Sequence, residues 1–396
     1  MRFDPWNPDF VANPYGVYAE LRQQAPVSFF EPTGQWLIAR HADVNALLRD
    51  RRLGRSYLHV ATHEEFGKEA EPEFQEPFWR VVRAGMLDVE PPVHTRLRRL
   101  VSRAFTPRMV ESLRPRVRAI AGGLVDAFVE QGGGDLIAEV AEPLPVTVIA
   151  EMLGIPDADR PLLRPWSADI CGMYELNPAP EAQHTAVRAA SEFAGYLKEL
   201  ARERAARPGD DLISALAQID ELTLDELVGT CVLLLNAGHE ATVNVTGNGW
   251  WSLFRNPGEL ARLREDHALL PSAIEELMRW DTPLQMFERW VLEDIEVGGV
   301  VIPRGVEVAL LFGSANRDQE VFVDPDRLDV GRADNPHISF GAGIHFCLGA
   351  PLARIELIES FGALMDRAPK LELVREPVWK PGYVIRGLES LDVRVA

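Results

Sequence analysis

The sequence predicts one large, mainly α-helical domain with a minor β portion, extending over residues 1–396. Apolar residues recur at helical spacing through almost all of residues 107–270. β-prone runs are short and fall near residues 26–40 and 295–311. No internal repeat and no flexible linker interrupts the chain, which favours a single body over several separate domains.

Overall charge and cysteine content restrict the class of function. A formal net charge of −19 argues against a nucleic-acid partner, because such proteins need a basic surface that displaces counterions from phosphates. Cys171, Cys231 and Cys347 are few, odd in number and without C-x-x-C spacing, so we expect no disulfide framework and a cytoplasmic location. The N-terminal letters MRFDPWNPDF lack the apolar core of a signal peptide, and no apolar run is long enough to predict a membrane span.

The N-terminal residues 1–40 predict a small β unit. PVSFF and QWLIAR are β-prone, and EPTG between them is typical of a hairpin turn. HADVNALLRD then has apolar residues at helical spacing, whereas residues 54–87 show no regular pattern and are expected to be irregular.

The remainder of the chain alternates long helical patterns with clear breaks. EQGGGD, GIPDAD, NPAPEA and RPGDD are turn signals within the helical body. β character returns in IEVGGVVIPRGVEVALL, where glycine and proline separate three apolar runs. APLARIELIESFGALM carries a helical stripe with Pro351 near its start, where a helix tolerates proline.

The longest predicted helix spans residues 222–254. Thr223 and Glu226 have the spacing of a capping box at its N-terminus. Gly238 in its middle indicates either a local kink or close packing against a neighbouring helix. Glu240 is harder to explain by packing, because an acid within an apolar run is costly to bury unless it has a partner or a task.

A single cysteine, Cys347, lies in the glycine-rich stretch FGAGIHFCLG just before a predicted helix. The helix N-terminus favours a thiolate, and the glycines at 341, 343 and 349 let a flat, bulky group approach the backbone. Four interpretations stay open from these residues alone. They are a buried structural cysteine, a nucleophile with His345 as its base, half of a zinc site, and a thiolate bound to haem iron.

FGAGIHFCLG resembles the haem-binding loop of the cytochrome P450 superfamily, F-x-x-G-x-H-x-C-x-G, at every defining position. Further stretches resemble the family in the same order along nearly the whole chain. EELMR carries an E-x-x-R pair, Glu276 and Arg279, and FVDPDRL resembles the segment that supplies their third partner, Arg327. NAGHEAT resembles the oxygen-binding part of the family's distal helix, and EPPVHTRLRRLVSRAFTP resembles the helix beside the haem. The resemblance implies the cytochrome P450 fold, with a long distal helix and the cysteine loop sandwiching haem b (iron protoporphyrin IX).

The resemblance also implies roles for individual residues. Cys347 is expected to bind the haem iron, and the structural network is Glu276, Arg279 and Arg327. The other haem contacts expected are His94, Arg98, Arg289, Phe340, Gly341, His345 and Gly349. The expected substrate pocket comprises Phe78, Trp79, Met173, Tyr174, Leu234, Asn236, Ala237, Leu284, Gln285, Met286, Phe287 and Val384.

The implied activity is oxidation of a mid-sized organic substrate by a haem-thiolate monooxygenase, with dioxygen, in secondary-metabolite biosynthesis. The alternatives are oxidative aryl coupling on the same fold and a haem-thiolate protein that senses a ligand or gas without turnover. The family's catalytic acid is present as Glu240, but Ala241 stands where most members have threonine. Thr242 is rotated by about 100° along the helix and should point away from the same spot. Three outcomes are open: a hydroxyl of the substrate replaces the missing donor, ordered water replaces it, or coupling is poor. We expect the first, because a donor supplied by the substrate makes oxygen activation wait for the correct molecule.

A basic stretch reverses the acidic character of the chain between His94 and Arg118. Arg96, Arg99 and Arg103 recur at helical spacing and are expected to share one face. Because the family places this helix on the side where an electron donor docks, the resemblance implies a separate ferredoxin with its ferredoxin reductase. The alternative is a solvated helix face.

Overall fold

The computed structural model describes residues 2–396, and helix predominates in it. The chain divides into two compact units. The first unit comprises the residues up to Leu53, Arg114–Leu144 and Ala241–Ala396, and the second comprises Gly54–Leu113 and Pro145–Glu240. The organisation of the whole chain as one domain stays a prediction.

The helices and strands are numbered here in chain order. Helices α1 to α15 are Pro8–Ala12, Tyr15–Gln24, His41–Leu47, Glu76–Ala84, Val93–Ala104, Pro107–Glu130, Pro143–Leu153, Leu163–Cys171, Pro180–Ala206, Leu212–Ala217, Leu224–Arg255, Pro257–Glu265, Leu270–Trp280, Phe312–Ala315 and Ala350–Arg367. Strands β1 to β10 are Val27–Phe30, Gln35–Ile38, Leu53–Gly54, Gly133–Asp135, Phe287–Val291, Ile295–Val297, Val300–Ile302, Glu307–Leu310, Leu371–Leu373 and Asp392–Val395. Short 3₁₀ turns lie at Glu73–Gln75, Asp157–Leu162, Gly172–Tyr174, His267–Leu269 and Gly343–His345, and a π-helical turn lies at Ile137–Ala141.

The main sheet has the strand order β1-β2-β8-β5-β3. β1 and β2 form the predicted antiparallel hairpin, with Val27 opposite Ile38 and a turn through Gly34 at φ +69°. β8 runs parallel to β2 and antiparallel to β5. β6 and β7 form a separate hairpin. The three apolar runs of the predicted β segment are therefore β6, β7 and β8, as expected.

Three regions differ from the sequence-based expectation. Helices α1 and α2 precede β1, so the N-terminal region is not purely β, and α4 lies in the stretch expected to be irregular. EQGGGD contains β4, which pairs with β10 in a second sheet of order β4-β10-β9. Gly133 has φ +112°, and a Cβ there would lie 2.4 Å from the carbonyl oxygen of Val393. Turn-forming residues alone do not reveal a strand whose partner lies so far along the chain.

Helix α11 confirms the predicted long helix. At its start the N–H of Thr223 donates to the Glu226 carboxylate (2.9 Å), and the N–H of Glu226 donates to the Thr223 hydroxyl (3.2 Å), which is the expected capping box. The helix continues through Gly238. A Cβ at that position would lie 2.5 Å from the δ-carbon of Ile149, so close packing explains this glycine.

Packing within the first unit holds α15 against the C-terminal half of α11. Trp250 and Phe361 are fully buried and stack with their ring centroids 5.2 Å apart. They belong to a core cluster that also includes residues of α13. In the second unit α9 packs against α4, α8 and α10. Within residues 2–396 no helix is both long and apolar enough to cross a membrane.

Candidate active site

The cysteine loop connects the 3₁₀ turn Gly343–His345 to α15. The N–H of Cys347 donates to the carbonyl oxygen of Phe340 (3.0 Å), which closes the loop on itself. Gly343 has φ +71°, and a Cβ there would lie 2.3 Å from the carbonyl oxygen of Leu48, so no other residue fits. Gly341, by contrast, has open space where a Cβ would be. The loop thus combines one thiol with open space at Gly341.

The rest of the loop follows the same pattern. Cys347 and His345 are half-buried, and a Cβ at Gly349 would lie 3.9 Å from the Cys347 sulfur. Among residues 2–396, no group of three or more His, Cys, Asp or Glu side chains is placed to hold a metal ion. The described residues therefore supply no further ligands for a zinc ion beside Cys347 and His345. A site with a single thiolate needs only Cys347.

An ion-pair network that sequence reasoning missed braces this loop. Arg354 on α15 donates to the Glu275 carboxylate at 2.6 and 2.8 Å, and Nε2 of His337 lies 3.0 Å from the same carboxylate. The Arg354 guanidinium also lies 4.6 Å from the centroid of the Phe340 ring. Burial alone would raise the pKa of Glu275, but the hydrogen bonds from Arg354 and His337 outweigh it and hold that pKa at about 2.

A second network surrounds Glu276, which is itself fully buried. Arg279 donates to its carboxylate at 2.7 and 2.8 Å, as expected for the E-x-x-R pair. The third partner is Arg332, whose Nε donates to Glu276 at 3.0 Å. The prediction of Arg327 is therefore wrong, because the side chain of Arg327 is exposed and pairs with Asp329 instead (3.1 Å). Both arginines lie on one irregular segment, and its backbone path decides which of them turns inward.

A buried cation lies in the same unit as the cysteine. Arg289 on β5 is 3% exposed, and its guanidinium lies 4.6 Å from the centroid of the Phe287 ring. Its Nη1 also donates to the carbonyl oxygen of Glu288 (2.9 Å). A buried arginine held in this way is suited to an anionic group of a cofactor.

Two segments of the first unit carry the predicted substrate contacts. Leu284 faces Ile385 across an antiparallel bridge, and the N–H of Gln285 donates to the carbonyl oxygen of Val384 (3.0 Å). Leu284 and Phe287 are partly exposed, whereas Val384 and Met286 are buried. The sequence analysis did not predict Ile385 as part of this segment's contacts. The one sequence feature that pointed to it is its position next to Val384.

The prediction that Gln285 contacts the substrate is wrong. Its side chain is fully buried, its Oε1 accepts a hydrogen bond from the Tyr18 hydroxyl (2.9 Å), and its Nε2 donates to the carbonyl oxygen of Thr282 (2.6 Å). The amide is thus committed to the protein interior. A glutamine in an apolar stretch looks the same in sequence whether it serves a ligand or the core.

One stripe of α11 is more accessible than the rest of this helix. Leu234, Ala237, Gly238 and Ala241 are partly or fully exposed, while their neighbours are mostly buried. Their spacing of three and four residues places them on one face. Glu240, the next residue before Ala241, is mostly buried, and its carboxylate lies 3.8 Å from Nδ1 of His239. The methyl group of Ala241 thus occupies the accessible stripe.

Thr242 is buried and hydrogen-bonds the carboxyl group of Glu356 on α15. It is therefore directed away from the stripe, which is the orientation expected from its helical position. Glu356 is 2% exposed, and within residues 2–396 its Oε1 has no hydrogen-bond partner. Burial raises the pKa of Glu356 to about 8, against the opposing effect of the Thr242 hydrogen bond. Sequence reasoning gave Glu356 no role.

The second unit contains the other predicted contacts. Phe78 lies 5.1 Å from Trp79 and 6.3 Å from Tyr174 between ring centroids, so these three aromatic residues form one group. Met173 adjoins Tyr174 and is partly buried. Asn236 on α11 is buried, and neither polar atom of its side chain has a hydrogen-bond partner within residues 2–396. An unsatisfied amide of this kind costs about 1–3 kcal/mol, which favours a bound polar group or water beside it.

The basic helix α5 is also in the second unit. His94 is buried on it and Arg98 is partly buried. Arg96 donates to the carbonyl oxygen of Glu221 (2.9 Å) and forms an ion pair with Glu226, so it is engaged at the start of α11. The expectation that Arg96 belongs to the docking face is therefore wrong, because its guanidinium is paired with Glu226. In the described chain, Arg99 and Arg103 are exposed and form no ion pair.

Known proteins are similar to this chain over nearly its whole length. The family model described as cytochrome P450 matches residues 168–367. Cytochrome P450 monooxygenase PikC of Streptomyces venezuelae is 40% identical over 98% of this chain and 92% of its own length. The 6-deoxyerythronolide B hydroxylase of Saccharopolyspora erythraea is 38% identical over 96% of each chain.

Solved structures give the same result. The polyketide synthase cytochrome P450 PksS of Bacillus subtilis superposes with a TM-score of 0.90 at 36% identity, covering 100% of both chains. The structure of P450BioI in complex with an acylated acyl carrier protein has a TM-score of 0.92 at 35% identity, covering 98% of this chain and 99% of that one.

Proposed function

The chain belongs to the cytochrome P450 family and is a haem-thiolate monooxygenase, and from this premise we propose that it oxidises a mid-sized organic molecule of secondary metabolism. The observation that carries the proposal is the cysteine loop, which closes on itself at Cys347 and has open space at Gly341. The names of the relatives support the substrate class, since one hydroxylates 6-deoxyerythronolide B and another serves polyketide biosynthesis.

The cofactor of the proposal is haem b, with Cys347 as the iron ligand. The residues present fit this group, because Gly341 leaves space at the loop and Arg289 is a buried cation in the same unit. We assign Arg289 and His345 to the propionates, and Phe340 and Gly349 to the loop that surrounds the thiolate. The contacts from His94 and Arg98 stay predictions from the family pattern. When bound, haem supplies the redox chemistry with dioxygen.

The chain's own residues suggest how protons are supplied. Ala241 has no hydrogen-bonding group, and the Thr242 hydroxyl is engaged by Glu356. We therefore assign the role of hydrogen-bond donor to a hydroxyl of the substrate, and Glu240 passes protons to the site through water. Asn236, whose amide has no hydrogen-bond partner within residues 2–396, is assigned to orient the substrate.

The remaining pocket residues stay proposals in two groups. We assign Phe78, Trp79 and Tyr174, whose rings lie close together, to an aromatic wall, with Met173 beside them. The other lining residues of the proposal are Leu234, Ala237, Leu284, Met286, Phe287 and Val384. An apolar and aromatic lining with a few polar groups is typical of sites for mid-sized organic molecules.

Bacterial members of the family take electrons from redox partners, and we assign a ferredoxin with its reductase to this chain. Arg99 and Arg103 are its proposed contacts, since they are exposed cations without ion pairs in the described chain. A cytoplasmic location stays a prediction from the cysteine content.

The test combines a spectrum with turnover. The reduced protein with carbon monoxide should show the red-shifted band of a thiolate haem, and Cys347→Ser should abolish that band. With ferredoxin, ferredoxin reductase and NADPH, a macrolactone probe such as 6-deoxyerythronolide B should give an oxidised product. The proposed substrate class would be contradicted if NADPH were consumed but no member of a panel of polyketides, macrolactones and terpenoids were oxidised. The assignment of Cys347 as the iron ligand would be contradicted if the band survived in Cys347→Ser.

A further inference from the structure

Arg386 is a buried cation that no step of the proposed chemistry uses. It is 1% exposed and lies in the stretch between β9 and β10. Its Nε donates to the carbonyl oxygen of Val11 (2.5 Å), its Nη2 donates to that of Ala12 (2.8 Å), and its Nη1 forms an ion pair with Asp281. Every nitrogen of the guanidinium is therefore bound to a different residue.

The backbone of Arg386 makes two further connections. Its N–H donates to the carbonyl oxygen of Pro283 (2.7 Å), and its carbonyl oxygen accepts from the side chain of Asn248 on α11 (3.3 Å). The guanidinium also lies 3.6 Å from the centroid of the Trp379 ring. One residue thus joins the N-terminal segment, α11, the segment after α13 and the C-terminal stretch.

Two tyrosines of α2 extend this connection. The Tyr15 hydroxyl donates to Asp281 (2.6 Å), which is the carboxylate that pairs with Arg386. The Tyr18 hydroxyl lies 2.7 Å from that of Tyr383 and donates to Gln285. α2 is therefore hydrogen-bonded to both of the segments that contain the proposed substrate contacts.

Stability alone does not account for such an arrangement. A buried ion pair is weak evidence for stability, because desolvation of the charges offsets much of their attraction. Its geometry, however, is strict, since a planar guanidinium that donates in three directions fixes the relative position of the groups that accept. The groups fixed here lie close to the proposed substrate contacts, since Leu284 follows Pro283 directly and Val384 lies two residues before Arg386.

We propose that Arg386 is a positioning residue for substrate selection: with Asp281 and Tyr15 it sets the position of the hydrogen-bonded segments 282–287 and 383–385 against α11 and the N-terminal helices. The N-terminal helices thereby influence which size of molecule the protein accepts. The inference rests on the proposed function, because it assumes that these segments contact the substrate.

The test compares a small and a bulky haem-binding ligand, imidazole and clotrimazole, by the shift of the haem absorption band. Arg386→Lys keeps the charge but loses the three-way geometry. It should raise the ratio of the clotrimazole Kd to the imidazole Kd by about fivefold or more, because small displacements of a binding wall have large effects. Leu364→Ala, a fully buried core change in the same unit, is the control for lost stability and should leave this ratio unchanged.

A second variant covers the case in which Arg386→Lys does not fold. Tyr15→Phe removes only the hydroxyl that donates to Asp281, and should raise the ratio by about twofold or more. A ratio that stays at the wild-type value in the folded variants, or that changes equally in Leu364→Ala, overturns the inference. The carbon monoxide spectrum of the wild-type protein tests the haem-thiolate function separately from the role of Arg386. If the thiolate band is present but the Kd ratio does not change in the variants, only the role of Arg386 is overturned.

Discussion

Replacing Glu356 by glutamine should stabilise the protein near neutral pH. Glu356 is buried on α15, bonded through one oxygen to Thr242, and its folded-state pKa is about 8 against an ordinary value of 4.5. Between pH 4.5 and about pH 8, the Glu356 carboxyl group is protonated in the folded protein and ionised in the unfolded chain. The free energy of unfolding therefore falls as the pH rises through this window. Glutamine has nearly the same shape and never ionises, so it removes this penalty.

The size of the effect follows from the separation of the two pKa values. At ~1.36 kcal/mol per pH unit, the penalty is below about 1 kcal/mol at pH 5, about 3 kcal/mol at pH 7 and close to 5 kcal/mol above pH 8. Relative to wild type, Glu356→Gln should thus gain about 2.5 kcal/mol of stability between pH 5 and pH 7. The amide N–H₂ that replaces Oε1, an atom without a hydrogen-bond partner within residues 2–396, adds a cost that does not depend on pH. The Thr242 hydroxyl retains an acceptor in the glutamine amide oxygen.

Urea unfolding followed by tryptophan fluorescence at pH 5, 6, 7 and 8 measures this difference. Glu359→Gln is the matched control, because Glu359 lies one turn further along α15 and pairs with Arg114 and Arg118. That control loses ion pairs and should not gain stability at neutral pH. A difference between Glu356→Gln and wild type that stays constant from pH 5 to pH 8 would refute the reasoning.

Three further predictions concern the site and its partner. Arg332→Leu should lower the haem content and the Tm, since it removes a partner of buried Glu276. Arg327→Leu at the surface should change the free energy of unfolding by less than about 0.5 kcal/mol. Equal effects of the two variants on the haem-to-protein absorbance ratio would contradict the assignment of Arg332. Arg99→Glu with Arg103→Glu should slow reduction by ferredoxin roughly tenfold at low salt and flatten its salt dependence, with substrate binding unaltered; an unchanged stopped-flow rate would mean a solvated face only. Ala241→Thr should weaken binding of the native substrate, and a substrate analogue that lacks the relevant hydroxyl should divert NADPH to hydrogen peroxide in the unaltered protein; product formation from the analogue at the native yield would exclude proton supply by the substrate.

Local sequence patterns were sufficient for the elements that depend on near neighbours. The capping box at Thr223 and Glu226 and the hairpin of β1 and β2 each follow from residues a few positions apart. The family could be recognised for the same reason, because the haem-binding loop is a contiguous stretch of ten residues. The rotation of Thr242 away from Ala241 also followed, since the helical angle between successive residues is constant.

Tertiary structure decided which of several equivalent side chains meets a given partner. Arg327 and Arg332 are alike in sequence, yet only Arg332 reaches Glu276, and Arg96 left the predicted docking set through its pair with Glu226. Gln285 turned toward Tyr18 for the same reason. Each of these contacts joins residues separated by more than fifty positions, and their meeting depends on the path of the whole chain, which no local periodicity encodes.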